Sequence, residues 1–482
     1  MTAQVNAIHA AFADANQSIT VEAGAGCGKT TLIVTGERLL PRDTLFLAFN
    51  KAIADELTRR MPHRTCKTFH AIALSNLTSR IGRLKVDSYK YQTLAQQAGA
   101  SREEAKAVAE LVDKFQIQVE GCYVEPKQWT PEYIKEIIPE SDIYEIEVPD
   151  KSSIDFLLGI ASQILILQAK GLKSLSFSDM LFFLVHYSIH KKWKLNDWDC
   201  VVVDEAQDVS PIRLEIIKRL ADRCIQVGDP RQAIYAFAGA MNWAMNNIAG
   251  AFGCKSYPLS TTWRCSINVV QEATNVIGPF LEPRPNAPEG RVEAIDESLL
   301  YQSYLDENSM VICRTNAPLI SVAIRLLRNG VPFNFMSDMP EKLAKRAEKL
   351  ASGLGGMAAF RTAVRDYFEA KLLETKSQGL KARIEDEMDC LLTMSDYCSQ
   401  PEDVAVRLRQ LAYSAKGVLL TTGHKAKGLE AQNVYILRPD LIPAPWVNPD
   451  DNPEAYQQEV NLHYVMVTRA KENLFYLQST SK

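Results

Sequence analysis

Residues 21–31 read Val-Glu-Ala-Gly-Ala-Gly-Cys-Gly-Lys-Thr-Thr. The stretch Ala23 to Thr30 has the pattern of a phosphate-binding loop, with Ala23 at the first position where glycine is usual. Gly24, Gly26 and Gly28 let the backbone turn tightly and aim its N–H groups at one point, and Ala25 and Cys27 are the small residues between them. Lys29 is placed to reach β- and γ-phosphates, and the Thr30 hydroxyl to hold Mg²⁺. Residues 18–22, Ser-Ile-Thr-Val-Glu, read as a strand entering the loop. Leu32 to Leu40 is apolar enough to begin a helix, so the loop is expected to end at a positive helix terminus.

Asp204 and Glu205 supply the natural complement. They come directly after the apolar run Cys-Val-Val-Val at 200–203, which reads as a buried strand. At that strand's end Asp204 is expected near the Mg²⁺ held by Thr30, and Glu205 where it can accept a proton from an attacking water. NTP hydrolysis is the reaction this pairing favours. Gln232 lies just beyond the next expected strand, Cys-Ile-Gln-Val at 224–227, where its amide is expected to sense the γ-phosphate. Arg264 and Arg469, in Thr-Thr-Trp-Arg and Val-Thr-Arg-Ala, are the candidate cations for the transferred phosphoryl group.

The rest of the chain supports an α/β frame. Thr-Leu-Phe-Leu-Ala-Phe at 44–49 reads as a buried parallel strand, Asn50-Lys51 open a helix through Arg60, and residues 65–70 read as a further short strand. Residues 310–313, 418–421, 433–437 and 474–477 read as strands of a second sheet. Helix-rich sequence at 77–170 and 340–412 interrupts the two halves, the first including a helix from Ser101 capped with Glu104 three residues on. Domain boundaries are expected at 1–76 plus 171–258 and at 259–339 plus 414–482 for the two α/β parts. The helical insertions are expected at 77–170 and 340–413.

Bulk composition narrows the alternatives. The 482 residues are 46% hydrophobic and 23% charged with a net charge of −4, so any nucleic-acid contact is expected in a local groove rather than over a basic surface. The ten cysteines include no Cys-x-x-Cys pair, which argues against a zinc site and for a reducing compartment. No signal peptide is read, and the longest apolar stretch, Phe156 to Ala169, is too short to span a membrane. A cytoplasmic protein is expected (nuclear in a eukaryote), not secreted and without membrane contact. Aromatic and small polar residues recur at strand ends: Phe49, Asn50, Phe69, His70, Tyr235, Phe237, Asn316 and His424. Such groups serve as platforms for single-stranded nucleic acid.

Taken in order, these motifs resemble those of superfamily 1 DNA helicases of the UvrD/Rep type, and most resemble the F-box DNA helicase branch, though no F-box is read. The resemblance covers residues 1–76, 174–340 and 415–482. It implies two RecA-like P-loop NTPase domains with parallel sheets flanking an ATP cleft, each carrying a mostly helical insertion. It implies roles for further residues: Gln4 reading adenine, Trp263 stacking on it, Glu430 meeting the ribose, Arg264 and Arg469 on the γ-phosphate, and Arg314 in Cys-Arg-Thr-Asn-Ala contacting DNA. Thr31 stands where the group often has an arginine over the adenine, which implies looser base selectivity. Phe237-Ala238 stands in place of a common Trp-Arg pair. The implied activity is ATP- and Mg²⁺-dependent translocation on single-stranded DNA, 3′-to-5′, with unwinding of tailed duplex. Stripping of proteins from DNA without processive unwinding is the alternative, and a DNA-dependent sensor ATPase in genome or phage defence a third. A monomer is expected, with single-strand-binding or recombination proteins as partners. No acidic metal cluster outside the nucleotide site points to a nuclease.

Overall fold

The computed structural model describes residues 2–478 except 145, 147, 150–151, 196–197, 236–238, 242, 302–304, 376–377 and 413–415. It divides into two compact units, Met1–Ala23 with Gly28–Leu259, and Gly24–Cys27 with Ser260–Lys482.

In the first unit six strands form one sheet in the order Thr65–Thr68, Thr44–Ala48, Cys200–Asp204, Cys224–Gly228, Ile19–Ala23, Lys255–Leu259. Every neighbouring pair is parallel. The strands Thr44–Ala48, Cys200–Asp204 and Cys224–Gly228 are buried along their whole length, which is why they read as unbroken apolar runs. The two edge strands are more exposed. Lys255–Leu259 was not expected: Lys-Ser-Tyr-Pro-Leu lacks an apolar run, and Pro258, which cannot donate to a ladder, is tolerated only at such an edge.

The expected strand at 65–70 is shorter than the sequence suggests. It ends at Thr68, whose side chain caps the helix Phe69–Ile81 by accepting from the Ala71 N–H. Phe69 and His70 therefore open a helix rather than close a strand. The helical sequence beyond it includes Lys90–Gln97, Arg102–Ile117, Pro131–Ile137 and Ile154–Lys170. Ser101 and Glu104 form the expected capping box. Phe115, Trp129, Phe182 and Phe183 pack edge-on or tilted around one another, in a core continuous with Leu45 and Val201 of the sheet. A buried polar knot ties these helices to Phe177–His190: Asp179 accepts from Lys90 Nζ at 2.6 Å, Tyr91 Oη at 2.5 Å and Gln116 Nε2 at 2.8 Å.

The second unit holds another six-stranded parallel sheet, in the order Arg291–Asp296, Ala470–Gln478, Ala431–Leu437, Ser309–Cys313, Val418–Thr422, Phe333–Phe335. Four helices, Met339–Ala351, Met357–Glu374, Gln378–Ser395 and Pro401–Ala412, separate Phe333–Phe335 from Val418–Thr422. They bury Phe360, Phe368, Leu391 and Leu408 in a core shared with Val311 and Leu420. In both units the long helical excursion leaves from the region of an edge strand, so it displaces no strand of the sheet.

No helix among the described residues is long and apolar enough to cross a membrane. All ten cysteines are free. Trp129 is fully buried and donates its indole N–H to Gly121 O at 2.9 Å. Trp129→Ala is expected to cost about 3–5 kcal/mol in chemical denaturation, with the loss reported first by probes in the helices at 90–170.

Candidate functional site

The first sheet brings three chain segments together at one edge. Cys200–Asp204 lies beside Cys224–Gly228, which lies beside Ile19–Ala23, all parallel, so Asp204-Glu205, Asp229–Gln232 and the loop after Ala23 emerge side by side. The loop turns into the helix Lys29–Gly36 through Gly28, at φ +84°, a left-handed conformation that a side chain would strain. Lys29 Nζ sits 3.4 Å from Glu205 Oε1. Burial works against the Lys29 charge, but Glu205, Asp229 and Asp204 outweigh it and raise its pKa. The lysine therefore stays protonated. For Asp204 an upward shift has the opposite effect on charge: burial, then the Glu205 charge, push its carboxyl up to about 7.

Glu205 adopts φ +53°, unusual for a residue with a side chain. Such conformations cost roughly 1–3 kcal/mol and persist where the surroundings dictate them. Here Gln207 holds the carboxylate, with Nε2 donating to Glu205 Oε2 at 2.6 Å. The other end of that amide, Oε1, accepts the Asp229 N–H at 3.0 Å. Gln232 is buried and donates through Nε2 to Asp229 Oδ2 at 2.8 Å. A continuous polar chain thus runs from Lys29 through Glu205, Gln207 and Asp229 to Gln232. Gln207 and Asp229 were not singled out from the sequence, although each lies within three residues of one that was. Gly228 was a further signal: a Cβ there would stand 2.5 Å from Gln207 Oε1.

Other expected nucleotide-site residues take varied positions. Thr30 is half-buried and Thr31 exposed, its hydroxyl accepting from Arg60 Nη2 at 3.4 Å. Gln4 is half-buried near the start of the helix Ala3–Ala13, which meets Lys29–Gly36 through His9 Nε2 and Leu32 O at 3.2 Å.

In the second unit, Gly24–Cys27 lie with Trp263, Arg264, Glu430 and Arg469. The Ala25 N–H donates to Tyr464 Oη at 3.0 Å, and the Trp263 N–H to Gly26 O at 2.9 Å. Trp263 itself is 58% exposed. Arg264 pairs with Glu430 at 2.8 Å and donates to Thr468 O at 3.1 Å. Lys471 holds the other Glu430 oxygen at 2.6 Å. Burial raises the Glu430 carboxyl, but hydrogen bonding and charge from Lys471 and Arg264 bring it below its ordinary range. Arg469 is buried, donating to Val465 O, Leu429 O and Thr468 Oγ1. Tyr464, five residues before Arg469, carried no expected role.

The strand-end aromatics divide. Phe49 and Tyr235 lie parallel, centroids 6.4 Å apart, and Arg213 stands 4.7 Å from the Phe49 centroid. Asn50 is exposed and caps the helix Lys51–Arg60 by accepting from the Ile53 N–H. His70 meets Phe177 edge-on at 5.7 Å; burial, then the Arg213 charge, lower its pKa to about 4, so it is neutral near pH 7. Phe69 corrects the expectation. It is 2% exposed, packed in the core because it occupies the inward first position of its helix, and offers no face to a base. Phe237 lies outside the described residues. In the second unit Arg314 forms a two-pronged pair with Glu459 at 3.0 and 2.8 Å. Asn316 donates its amide to Asp386 at 2.9 Å, tying the strand end to Gln378–Ser395. His424 is held neutral, its pKa lowered to about 3 by burial and Arg314.

Comparison with known proteins agrees with this geometry. A model of the UvrD/REP helicase N-terminal domain matches residues 3–253, and one of the UvrD-like helicase C-terminal domain matches residues 373–481. The chain belongs to the UvrD/REP helicase family. It is 24% identical to F-box DNA helicase protein 1 of Schizosaccharomyces pombe over 505 residues, covering 96% of this chain and 56% of that one. It is 23% identical to F-box DNA helicase 1 of Gallus gallus, covering 96% and 47%. With DNA helicase IV of Escherichia coli the identity is 25%, covering 61% and 50%. The chain spans about half the length of the curated relatives it matches.

Membership in this family gives the crowded acids a meaning: the two parallel sheets are RecA-like. In that setting the crowding of Asp204 against Glu205 in a buried pocket carries electrostatic strain. The native protein holds a proton on Asp204 up to about pH 7, whereas the ordinary carboxyl value is 3.8. Stability is therefore expected to fall as pH rises from about 4 to about 7, because the native state binds the extra proton in that window. Asp204→Asn removes this dependence. Its melting temperature without nucleotide is expected to exceed that of wild type by about 2–4 °C at pH 8, with a smaller gap at pH 5.

Proposed function

We propose that the chain is an ATP-dependent DNA helicase that moves 3′-to-5′ along single-stranded DNA and couples ATP hydrolysis to duplex unwinding. The observation that carries the reading is the polar chain from Lys29 to Gln232, with Asp204 beside it. Lys29 is charged and mostly buried, and its place in the loop suits it to reach β- and γ-phosphates. Glu205, fixed by Gln207, would take the proton of the attacking water. Gln232 and Asp229 would register the γ-phosphate and pass its loss to Tyr235, three residues on, which lies parallel to Phe49.

Mg²⁺ fits the donor set. Asp204 is a buried carboxyl held above its usual range, and a divalent cation would favour its ionised form. Thr30 and Asp204 would hold the ion, which supplies charge neutralisation at the transferred phosphoryl group. In the second unit, Arg264 and Arg469 would stabilise that group, Trp263 would stack on the base and Glu430 would meet the ribose. Arg264 would exchange its Glu430 partner for phosphate when ATP binds. Phe49, Asn50, His70, Tyr235, Arg314, Asn316 and His424 would contact single-stranded DNA. Their neutral histidines point to stacking and hydrogen bonding rather than ion pairing.

Strand displacement on 3′- and 5′-tailed duplexes tests this. Wild type is expected to unwind the 3′-tailed substrate, with ATPase stimulated by single-stranded DNA. Lys29→Ala and Glu205→Gln are each expected to lose about 10²-fold or more in hydrolysis and all unwinding. Unwinding by the Lys29 variant at the wild-type rate would refute the motor assignment. DNA-stimulated hydrolysis without strand displacement would favour protein removal from DNA instead.

A further inference from the structure

Past His70, the helix Phe69–Ile81 turns a face away from the core. Ala71, Leu74 and Thr78 on that face, with Arg83 to Val86, line an open groove of about 990 Å³. The floor is largely apolar. The rim is cationic: Arg83 and Lys85 are both exposed. Lys85 pairs with Ser174 in a two-stranded parallel ribbon, so exposed Lys173 stands next to it. None of these three cations has an ion-pair partner among the described residues, in a chain whose net charge is −4. Between residues 69 and 90 the one acidic residue is Asp87, which accepts the Tyr89 N–H. Two residues beyond the ribbon, Phe177 is 55% exposed and meets His70. The groove lining begins at Ala71, the residue that follows His70 in the same helix.

We infer that this groove is a second segment of the single-strand binding site, taking the sugar–phosphate backbone beyond His70 with phosphates on Arg83 and Lys85 and a base against Phe177. The inference rests on the DNA reading above. Unpaired cations over an apolar floor suit a polyanion carrying sugars and bases. A protein helix seated on the same floor would leave those charges unmatched, or would need an acidic face.

The test is fluorescence anisotropy with labelled oligothymidylates of about 6 and about 20 nucleotides, titrated across salt. Arg83→Glu with Lys85→Glu is expected to weaken binding of the longer strand about tenfold or more, and to lower its salt slope by about 1.4. Binding of the short strand and DNA-free ATPase are expected to stay at wild-type values. Phe177→Ala is expected to weaken the longer strand about fivefold or more. Arg83→Ser with Lys85→Gln, milder for folding, is expected to give the same fall in slope. Lys106→Glu with Lys127→Glu alters the net charge equally at exposed sites elsewhere and is expected to leave both strands unaffected. Groove variants that match this control would overturn the proposal, as would variants that lose affinity for a duplex arm but not for the long single strand. Failure of wild type to bind either strand would instead overturn the DNA reading itself.

Discussion

One lysine set among three carboxylates is the interaction on which the rest of the first unit depends. Lys29 is mostly buried, and burial works against its charge; Glu205, Asp229 and Asp204 outweigh that effect. The acids are in turn unequal. Glu205 is the one in salt-bridge contact with Lys29, Asp229 is tied to Gln232 and pairs with Arg231 at 3.3 Å, and Asp204 keeps its proton to about pH 7. A site with more acid than base, in a low-dielectric pocket, favours added positive charge. The proposed nucleotide and its metal ion would alter this balance most, because the ion's charge would favour an ionised Asp204 and the phosphates would give Lys29 a new partner.

The sheet topology creates this crowding. Three parallel strands, Ile19–Ala23, Cys224–Gly228 and Cys200–Asp204, are adjacent in space although their segments lie far apart in sequence. Each ends at the same edge, so the loop, the Asp229–Gln232 turn and the Asp204-Glu205 pair cannot avoid one another. Glu205 accepts a left-handed backbone rather than turn its carboxylate away. Gln207 then fixes that carboxylate and the Asp229 backbone with one amide, and Gly228 supplies the space. The second unit repeats the principle with opposite sign. Glu430 is one carboxylate between Arg264 and Lys471, and Arg469 is anchored beneath by carbonyl oxygens.

Legibility in the sequence tracked burial on two faces. Strands such as Cys200–Asp204 and Cys224–Gly228 read clearly because both faces are covered and the residues are nearly all apolar. Of the four edge strands, Thr65–Thr68 was read and three were missed. Lys255–Leu259, Arg291–Asp296 and Phe333–Phe335 are short or carry charge, and an edge strand has one ladder and partial cover, so little in its composition marks it. Lys29 and the strand-end pair Asp204-Glu205 stood out in the sequence because glycine-rich loops and strand-end acids have few other uses. Gln207, Arg213 and Tyr464 were not. Each acts by bridging segments far apart in the chain, and only the folded chain shows what a single amide, guanidinium or phenol spans.

Phe69 and His70 show how one residue of register separates packing from recognition. Read as the end of a strand, the two side chains would point to opposite faces, with no means of telling which faces outward. Thr68 resolves the question by capping a helix. At the first turn of that helix, Phe69 points into the core beneath Arg213, while His70 turns toward Phe177 at the surface. Arg213 then acts on both. Its guanidinium stands over the Phe69 and Phe49 rings, and its charge helps keep His70 neutral. The buried phenylalanine therefore fixes the direction in which the histidine faces, and the same helix carries that direction onward into the groove ending at Arg83 and Lys85. A strand of DNA laid along this surface would meet a neutral aromatic edge first and free cations after it. Base stacking would then set the strand's position at His70, and phosphate charge would hold the nucleotides beyond.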